Sequence, residues 1–583
     1  MCGGGPDHVT RRSRTPALAP SHGADTAGVS RLGRALLRQS PTMRYYLTTA
    51  IAYANNKPGL HTLYEVIGAD AIARWRRMRG DEVRFLTGTD EYSVNIAARA
   101  AEEGVAPKTF VDAKVALFQA SEAKLLISPD RFIRTTDADH TLAAQEMVRR
   151  SFAAGDIYVG SYEGWYCPNE GFRNADDVVK EGDKTVCPNH PGIPLQWLTE
   201  RNWFFKLSAY QERLEAWLTQ DPSPVQPEYR RNEMLGFVRQ GLEDFSISRE
   251  GATWGIPFPI HEDGSSALTA TGEGDPKAGT IYVWYDALIN YLTGAGFPAE
   301  AAGAPWWPAD LHIIGKDINR FHSVFWPAML WSAGLEAPKK IWVHGWLLSS
   351  GERMSKSRGN FLDPDDAVAA LGADGARFVA LREVPFDRDG DVSWDSIIRR
   401  YNSELANDFG NLVNRATTLA SRAFTDAPLP RPAAASTLGA AWEETRREAI
   451  AALERNALHE WLGTLWGFVG VANKFVDSEK PWELAKAAKL GDAAAEEKLR
   501  GVLGDLLESC RLISLYAAPV MPSIAEKIWT LLGRNWPYDA SGHNGPSLDE
   551  IGAWGALGAA GPLGAPEPLF PRLEADVLDA AAD

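Results

Sequence analysis

Between Arg44 and Glu91 a strand, a turn-rich loop, a helix and a second strand follow one another, and that order leaves few folds open. Arg44-Tyr-Tyr-Leu-Thr-Thr-Ala-Ile51 reads as a buried strand, and Ala52-Tyr-Ala-Asn-Asn-Lys-Pro-Gly59 as the loop after it. A helix is expected from about His61 to Arg79. Leu60, Leu63, Ile67, Ala71, Trp75 and Met78 recur at spacings of three and four along one face, and Gly80 supplies a stop. Val83-Arg-Phe-Leu-Thr87 is a second buried strand, ending at Gly88-Thr-Asp-Glu91. Such a unit requires parallel strands and a right-handed crossover. Ligands of parallel sheets lie beyond the carboxyl ends of the strands. Ile51, Tyr53, the turn 58–62 and Asp90 are therefore expected in one crevice. The helix start at Gly59 to Thr62 is expected to offer free backbone N–H groups to phosphate.

The chain has 583 residues, too many for one domain at about 150 residues each. No apolar run reaches the roughly 18 residues a membrane helix needs. The net charge of −16 restricts any nucleic-acid binding to a local basic patch. Cys2, Cys167, Cys187 and Cys510 are too few for a disulfide scaffold, which points to a reducing, cytoplasmic setting. Residues 1–42 are rich in Gly, Ala, Pro, Ser and Arg without a sustained apolar period. They read as a disordered extension or a misassigned start, with Met43 as the functional start. An Arg-rich, acid-poor opening also fits a transit peptide.

A second signal lies far along the chain. Gly351-Glu-Arg-Met-Ser-Lys-Ser-Arg-Gly-Asn360 is a polar loop with three basic residues, preceded by the strand-like Val343-His-Gly-Trp-Leu-Leu348. Asp363 is placed to cap a helix, with Pro364 in its first position. Cations on such a loop can neutralise charge developing on a polyphosphate.

Arg353-Met-Ser-Lys-Ser357 resembles the lysine-rich signature loop of class I aminoacyl-tRNA synthetases. Phe85-Leu-Thr-Gly-Thr-Asp-Glu91, Tyr282-Val-Trp-Tyr-Asp-Ala287 and Ile314-Gly-Lys-Asp-Ile-Asn-Arg-Phe-His322 resemble segments of the methionyl-tRNA synthetase family, and the likeness runs from about Arg44 to Leu573. The resemblance implies an α/β fold: a Rossmann-like parallel sheet, an inserted zinc-knuckle connecting domain, and an all-α helix-bundle anticodon-binding domain. It divides the chain into a Rossmann catalytic first half at 43–154, a connecting insertion at 155–260, a second half with the signature loop at 261–392, helices at 393–545 and a C-terminal tail at 546–583.

The family carries His-x-Gly-His at the first helix start, where this chain has Gly59-Leu60-His61-Thr62. The family's histidines donate to ATP in the transition state. The resemblance gives that part to His61, with Thr62 as a hydroxyl donor and Gly59 as backbone alone. A register shift that restores His61 to the usual position, or a weakened enzyme, are the alternatives. Lys356 is the main catalytic candidate, with Arg353 and Ser355 beside it in the ATP site. Ile51, Tyr53, Trp284, Tyr291, Phe321, His322 and Trp326 occupy the positions of the family's methionine pocket, and Asp90 that of the carboxylate holding the ammonium group.

Cys167-Pro-Asn-Glu170 and Cys187-Pro-Asn-His190 are two short turns separated by 16 residues, a spacing typical of zinc sites. Glu170 stands where a full set has cysteine. Cys167, Glu170, Cys187 and His190 are thus expected to hold a structural Zn2+, or to keep the knuckle's shape without metal. The insertion is small for a separate editing domain. His261 to Gly279 is expected to be a surface loop.

From about Ser393 the chain turns helical, and residues 436–535 fit a bundle. Arg399, Arg400, Arg415 and Arg422 supply the basic patch, while Asn411, Arg415 and Trp482 match the family's anticodon-reading positions. The expected activity is that of a methionine–tRNA ligase using ATP with Mg2+, with methionine tRNA as partner and a monomeric state. The rivals are a class I synthetase for another apolar or sulfur amino acid and a catalytically weak RNA-binding paralogue.

Overall fold

The first strand, Arg44–Thr49, lies at the centre of a seven-stranded sheet. In a computed structural model, residues 43–167, 171–173, 178–182, 184–188, 190–298, 305–354, 362–424, 429–433, 435–557 and 561–574 are described. Its neighbours are Glu82–Asp90 on one side and Leu311–Gly315 on the other, both parallel. Ile341–His344 and Val225–Gln226 extend the sheet beyond Leu311–Gly315, and Arg131–Arg134 pairs with Glu82–Asp90. All these pairings are parallel, as the strand–helix–strand order requires. The central strands are buried over most of their length, residues 47–49 and 85–90 entirely, although Thr and Asp stand among the apolar residues. The stretch Val225–Gln226 falls within the expected insertion, yet it is the sheet's edge strand.

The crossover helix is Leu60–Met78. The six apolar residues expected on its inner face are all buried, but so are Glu65, Asp70, Arg74 and Arg77. The expectation of one buried face was too narrow. A second layer covers the opposite side: a Cβ on Gly68 would lie 2.6 Å from the Phe386 ring and 3.3 Å from Leu458. The helix core and the C-terminal bundle therefore form one continuous apolar cluster, from Leu60 to Trp442 and Trp461.

Most of the insertion builds its own antiparallel sheet from Ile157–Cys167, Gly171–Arg173, Gln196–Phe205 and Phe245–Ser246. A three-stranded sheet of Val179–Glu181, Lys184–Cys187 and His190–Pro194 stands beside it in sequence. Residues 261–279 are turns and isolated bridges, mostly exposed, as expected for a surface loop.

Asp363 caps the helix Pro364–Glu383, its side chain accepting from the Asp365 N–H. Ser393 caps Trp394–Arg400 with a reciprocal Ser396 bond. The helices Thr437–Glu454, Leu458–Glu479, Ala493–Ala517 and Pro522–Leu531 complete the bundle. Among the described residues no helix is long and apolar enough to cross a membrane.

Candidate active site

The carboxyl ends of the central strands open onto a group of aromatic rings. Trp284 stacks flat on Phe321, with centroids 3.9 Å apart and planes 5° from parallel. Tyr53 stands edge-on to Trp284 at 6.1 Å. Behind them Tyr291 contacts His322 and Trp326, at 5.6 and 5.9 Å between centroids. Ile51 packs at the margin of the same core. Phe321 to Phe325 form a π-helical turn, a local widening often found at functional sites.

The hydrogen bonds fix the tautomers. His322 Nδ1 faces the Ile318 carbonyl at 3.0 Å and must carry the proton. Burial pushes its pKa down to about 4, so it is neutral and Nε2 accepts from the Tyr291 hydroxyl at 2.7 Å. His312 Nε2 likewise accepts from the Trp326 indole, which turns its Nδ1–H toward Thr48 Oγ1 at 2.6 Å. These bonds hold both histidines uncharged in an apolar wall.

Asp90 ends the strand Glu82–Asp90 and is almost wholly buried. Burial, and then the negative charge of Asp286, push its carboxyl well above the usual range. Such a group favours a cationic partner.

The phosphate side lies at the start of Leu60–Met78. Gly59 is extended at the N-cap and carries no side chain. The expectation of free amides here needs correction. Leu60 N–H donates to the Leu362 carbonyl at 3.0 Å, and Thr62 N–H to the Gly59 carbonyl at 3.0 Å. The chain leaving the signature loop packs against the helix start and takes the first of these donors.

His61 is partly buried; burial, and then the charge of Arg353, lower its pKa and keep it neutral. Arg353 lies over the Trp346 ring at 3.3 Å and 3.6 Å from Asp317. Ser355 and Lys356 lie outside the described residues. One turn below His61, Glu65 is held by the Ala50 N–H at 2.6 Å and His344 Nε2 at 2.8 Å. Lys57 binds both oxygens of Asp363 at 2.7 and 2.8 Å, joining the loop before the helix to the helix after the signature loop. Sequence reasoning passed over Glu65, His344, Lys57 and Trp346. Only Glu65 left a usable signal, four residues beyond His61 and so on its face.

Cys167 and Cys187 are buried in one small cluster with Leu195. Backbone pairing sets Cys187 opposite His190. Glu170 lies outside the described residues, and among those described no group of three His, Cys, Asp or Glu suited to a metal occurs.

In the bundle, Asn411 and Trp482 are exposed, and the Arg415 guanidinium lies 5.7 Å from the Trp482 ring centre. The basic patch is weaker than expected. Arg415 pairs with Asp477 at 3.0 Å, and Arg400 is held between Glu383 and Glu404, while Arg399 and Arg422 are exposed. Two of the four are thus paired with carboxylates, Arg415 by one 62 residues away and Arg400 by two that are 17 and 4 residues away.

Comparison with known proteins adds the following. The family described as tRNA synthetases class I (M) matches residues 45–417. A methionine–tRNA ligase of Thermotoga maritima is 39% identical over 539 residues, covering 91% of this chain and 81% of the relative. One from Mycobacterium bovis is 42% identical over 539 residues, covering 91% and 98%. The solved Mycobacterium tuberculosis methionyl-tRNA synthetase in complex with methionyl-adenylate superposes with a TM-score of 0.81 at 40% identity, covering 91% of this chain and all of that one.

Proposed function

This chain belongs to the class I tRNA synthetases (M), and from that premise we propose that it activates methionine with ATP and transfers it to methionine tRNA. The observation that carries the reading is a stacked aromatic pocket beside a buried carboxylate, at the carboxyl ends of parallel strands. Trp284, Phe321, Tyr53 and Tyr291, with Ile51 and Trp326, offer polarizable apolar surface for a thioether side chain. Asp90 receives the ammonium group. Neutral His322 adds no charge that would favour a polar competitor.

In the first step a methionine carboxylate oxygen bonds to the α-phosphorus. The bond to the bridging oxygen breaks, and pyrophosphate leaves with its Mg2+. In the second, a hydroxyl of the tRNA's terminal adenosine attacks the activated carbonyl carbon, and AMP leaves. The protein's work is to align these groups and stabilise charge. His61 and Thr62 donate from the helix start in place of the family's histidines. Arg353, Ser355 and Lys356 serve the leaving pyrophosphate. Asn411, Arg415 and Trp482 read the anticodon. Asn and Arg suit base edges, and a half-exposed Trp suits stacking on a splayed base.

The test is ATP–pyrophosphate exchange with methionine, each other amino acid serving as control. Exchange with methionine alone is expected. Exchange with another amino acid would move the substrate. None from folded protein that binds tRNA would leave a non-catalytic paralogue.

A structural Zn2+ held by Cys167, Glu170, Cys187 and His190 belongs to the same reading. The shared burial of the two cysteines supports it, and zinc accepts sulfur, nitrogen and carboxylate oxygen. Four protein ligands leave no open position, so the ion would brace the insertion without entering the chemistry. Protein purified without chelator should carry about one zinc per chain; less than about a tenth of an equivalent would refute the assignment.

A further inference from the structure

Two buried carboxylates lie beside the aromatic pocket, and the reading above uses one of them. Asp286, in the short helix Val283–Leu288, is as buried as Asp90. Its Oδ1 lies 2.6 Å from His140 Nε2, and His140 Nδ1 lies 3.1 Å from Thr293 Oγ1. The Thr293 hydroxyl donates to the Ile289 carbonyl at 3.1 Å, so toward His140 it accepts and Nδ1 carries a proton. The contact between Nε2 and Oδ1 is a short hydrogen bond. The arrangement fixes the Asp286 side chain from behind.

Its other oxygen, Oδ2, is buried without a hydrogen-bond partner among the described residues, and so is Asp90 Oδ1. A single unspent carboxylate oxygen also occurs far from the pocket, at Asp374 Oδ1, so what marks this place is that two of them flank one ring cluster. Buried Glu91 spends both oxygens, on Arg134 at 2.6 and 2.8 Å and on the Thr89 and Thr136 hydroxyls. Buried oxygens left without donors are costly, so a pair of them implies a donor supplied from outside. Tyr53, paired in the sheet with Asp90, stands edge-on to Trp284, two residues before Asp286 in its short helix, so both carboxylates adjoin the same rings. A primary ammonium carries one positive charge and three donors, which suits two such oxygens.

We propose that Asp286, oriented by His140 and Thr293, is a second carboxylate contact for the ammonium group of methionine, alongside Asp90. This rests on the pocket being a methionine site. Asp286 would touch the substrate; His140 is a positioning residue.

Equilibrium binding tests it without requiring catalysis. The ligands are methionine and 4-(methylthio)butanoate, which is methionine without its amine. Asp286→Asn should raise the methionine Kd about tenfold or more, the effect of losing a hydrogen bond to a charged group, and leave the Kd of the amine-free acid within about twofold. His140→Gln should give a smaller shift of the same kind, and it carries the test if Asp286→Asn does not fold. Kd values for ATP should not move in either variant. An equal rise for both ligands would mean that Asp286 only shapes the pocket, and an unchanged methionine Kd would remove it from the site; either overturns the proposal. A wild-type chain that binds methionine but gives no exchange would fail the functional reading alone. One that does not bind methionine would overturn both.

Discussion

Replacing Lys356 by alanine is expected to slow methionine-dependent pyrophosphate exchange by about 10²- to 10³-fold, the loss seen when one fixed donor to developing charge is removed. The expectation follows from what the rest of the site can supply. The family's paired histidines are reduced here to His61, which burial and Arg353 keep neutral. A neutral imidazole donates a hydrogen bond but cancels no charge. Arg353 is a cation, yet it is spread over Trp346 and faces Asp317. Lys57 is engaged by Asp363 and Asp365. The proposed role of Lys356 is therefore to meet the charge that appears on the leaving pyrophosphate. Methionine binding should be spared, because the aromatic pocket and Asp90 are built from other segments. The measurement is the exchange rate at saturating methionine and ATP, with methionine Kd read separately. Lys356→Arg should restore part of the rate. An unchanged rate in the alanine variant would remove Lys356 from the mechanism.

What the sequence allowed to be read, and what it hid, divides along a physical line. The parallel sheet, the crossover helix, the cap at Asp363 and the onset of helix near Ser393 were legible because local rules set them: apolar period, turn chemistry and capping. The aromatic pocket was legible only through a family resemblance, since tryptophans and tyrosines read equally well as plain core. Long-range charge pairing was not legible at all. Arg415 looked like part of an RNA-facing patch, but its carboxylate partner, Asp477, arrives from another helix 62 residues away. The bond between His140 and Asp286 spans 146 residues. Asp286 was visible in a quoted motif, yet nothing local says that one of its oxygens is buried and unspent. The polar residues of Leu60–Met78 misled for the same reason. Charged residues such as Asp70, Arg74 and Arg77 within and beside an apolar stripe normally reach for water, and only the folded bundle shows them covered.

Those covered charges carry the largest stability effect expected in the molecule. Asp70 is fully buried, and all its bonding capacity is used. Oδ2 accepts from Arg74 Nε and Arg377 Nη2, each at 2.7 Å, and Oδ1 from the Ser128 N–H and hydroxyl at 2.8 and 2.6 Å. Three further Arg377 donors go to the carbonyls of Val520, Leu125 and Pro519. Asp70→Ala removes the one anion bound directly to both guanidiniums and leaves them buried, at a cost of about 3–5 kcal/mol. The pH dependence has a definite sign. Burial alone would raise the Asp70 carboxyl, but Arg74, Arg377 and the Ser128 bonds outweigh it and hold the group well below the usual range. A carboxyl lowered by folding stabilises the native state above its unfolded-state value, about pH 4, and loses that contribution as pH falls further. Urea midpoints measured from pH 7 down to 3 should fall on the acid side in the wild type. In Asp70→Asn they should start lower and fall less steeply, because the titrating group is gone. Parallel acid limbs in the two proteins would place the acid sensitivity elsewhere. The same bonds tie the crossover helix beneath the active site to the turn at 519–520, between the last two long helices of the bundle. Loss of Asp70 should therefore loosen the catalytic sheet and the bundle in a single transition, and two separated transitions would show that this cluster does not couple them.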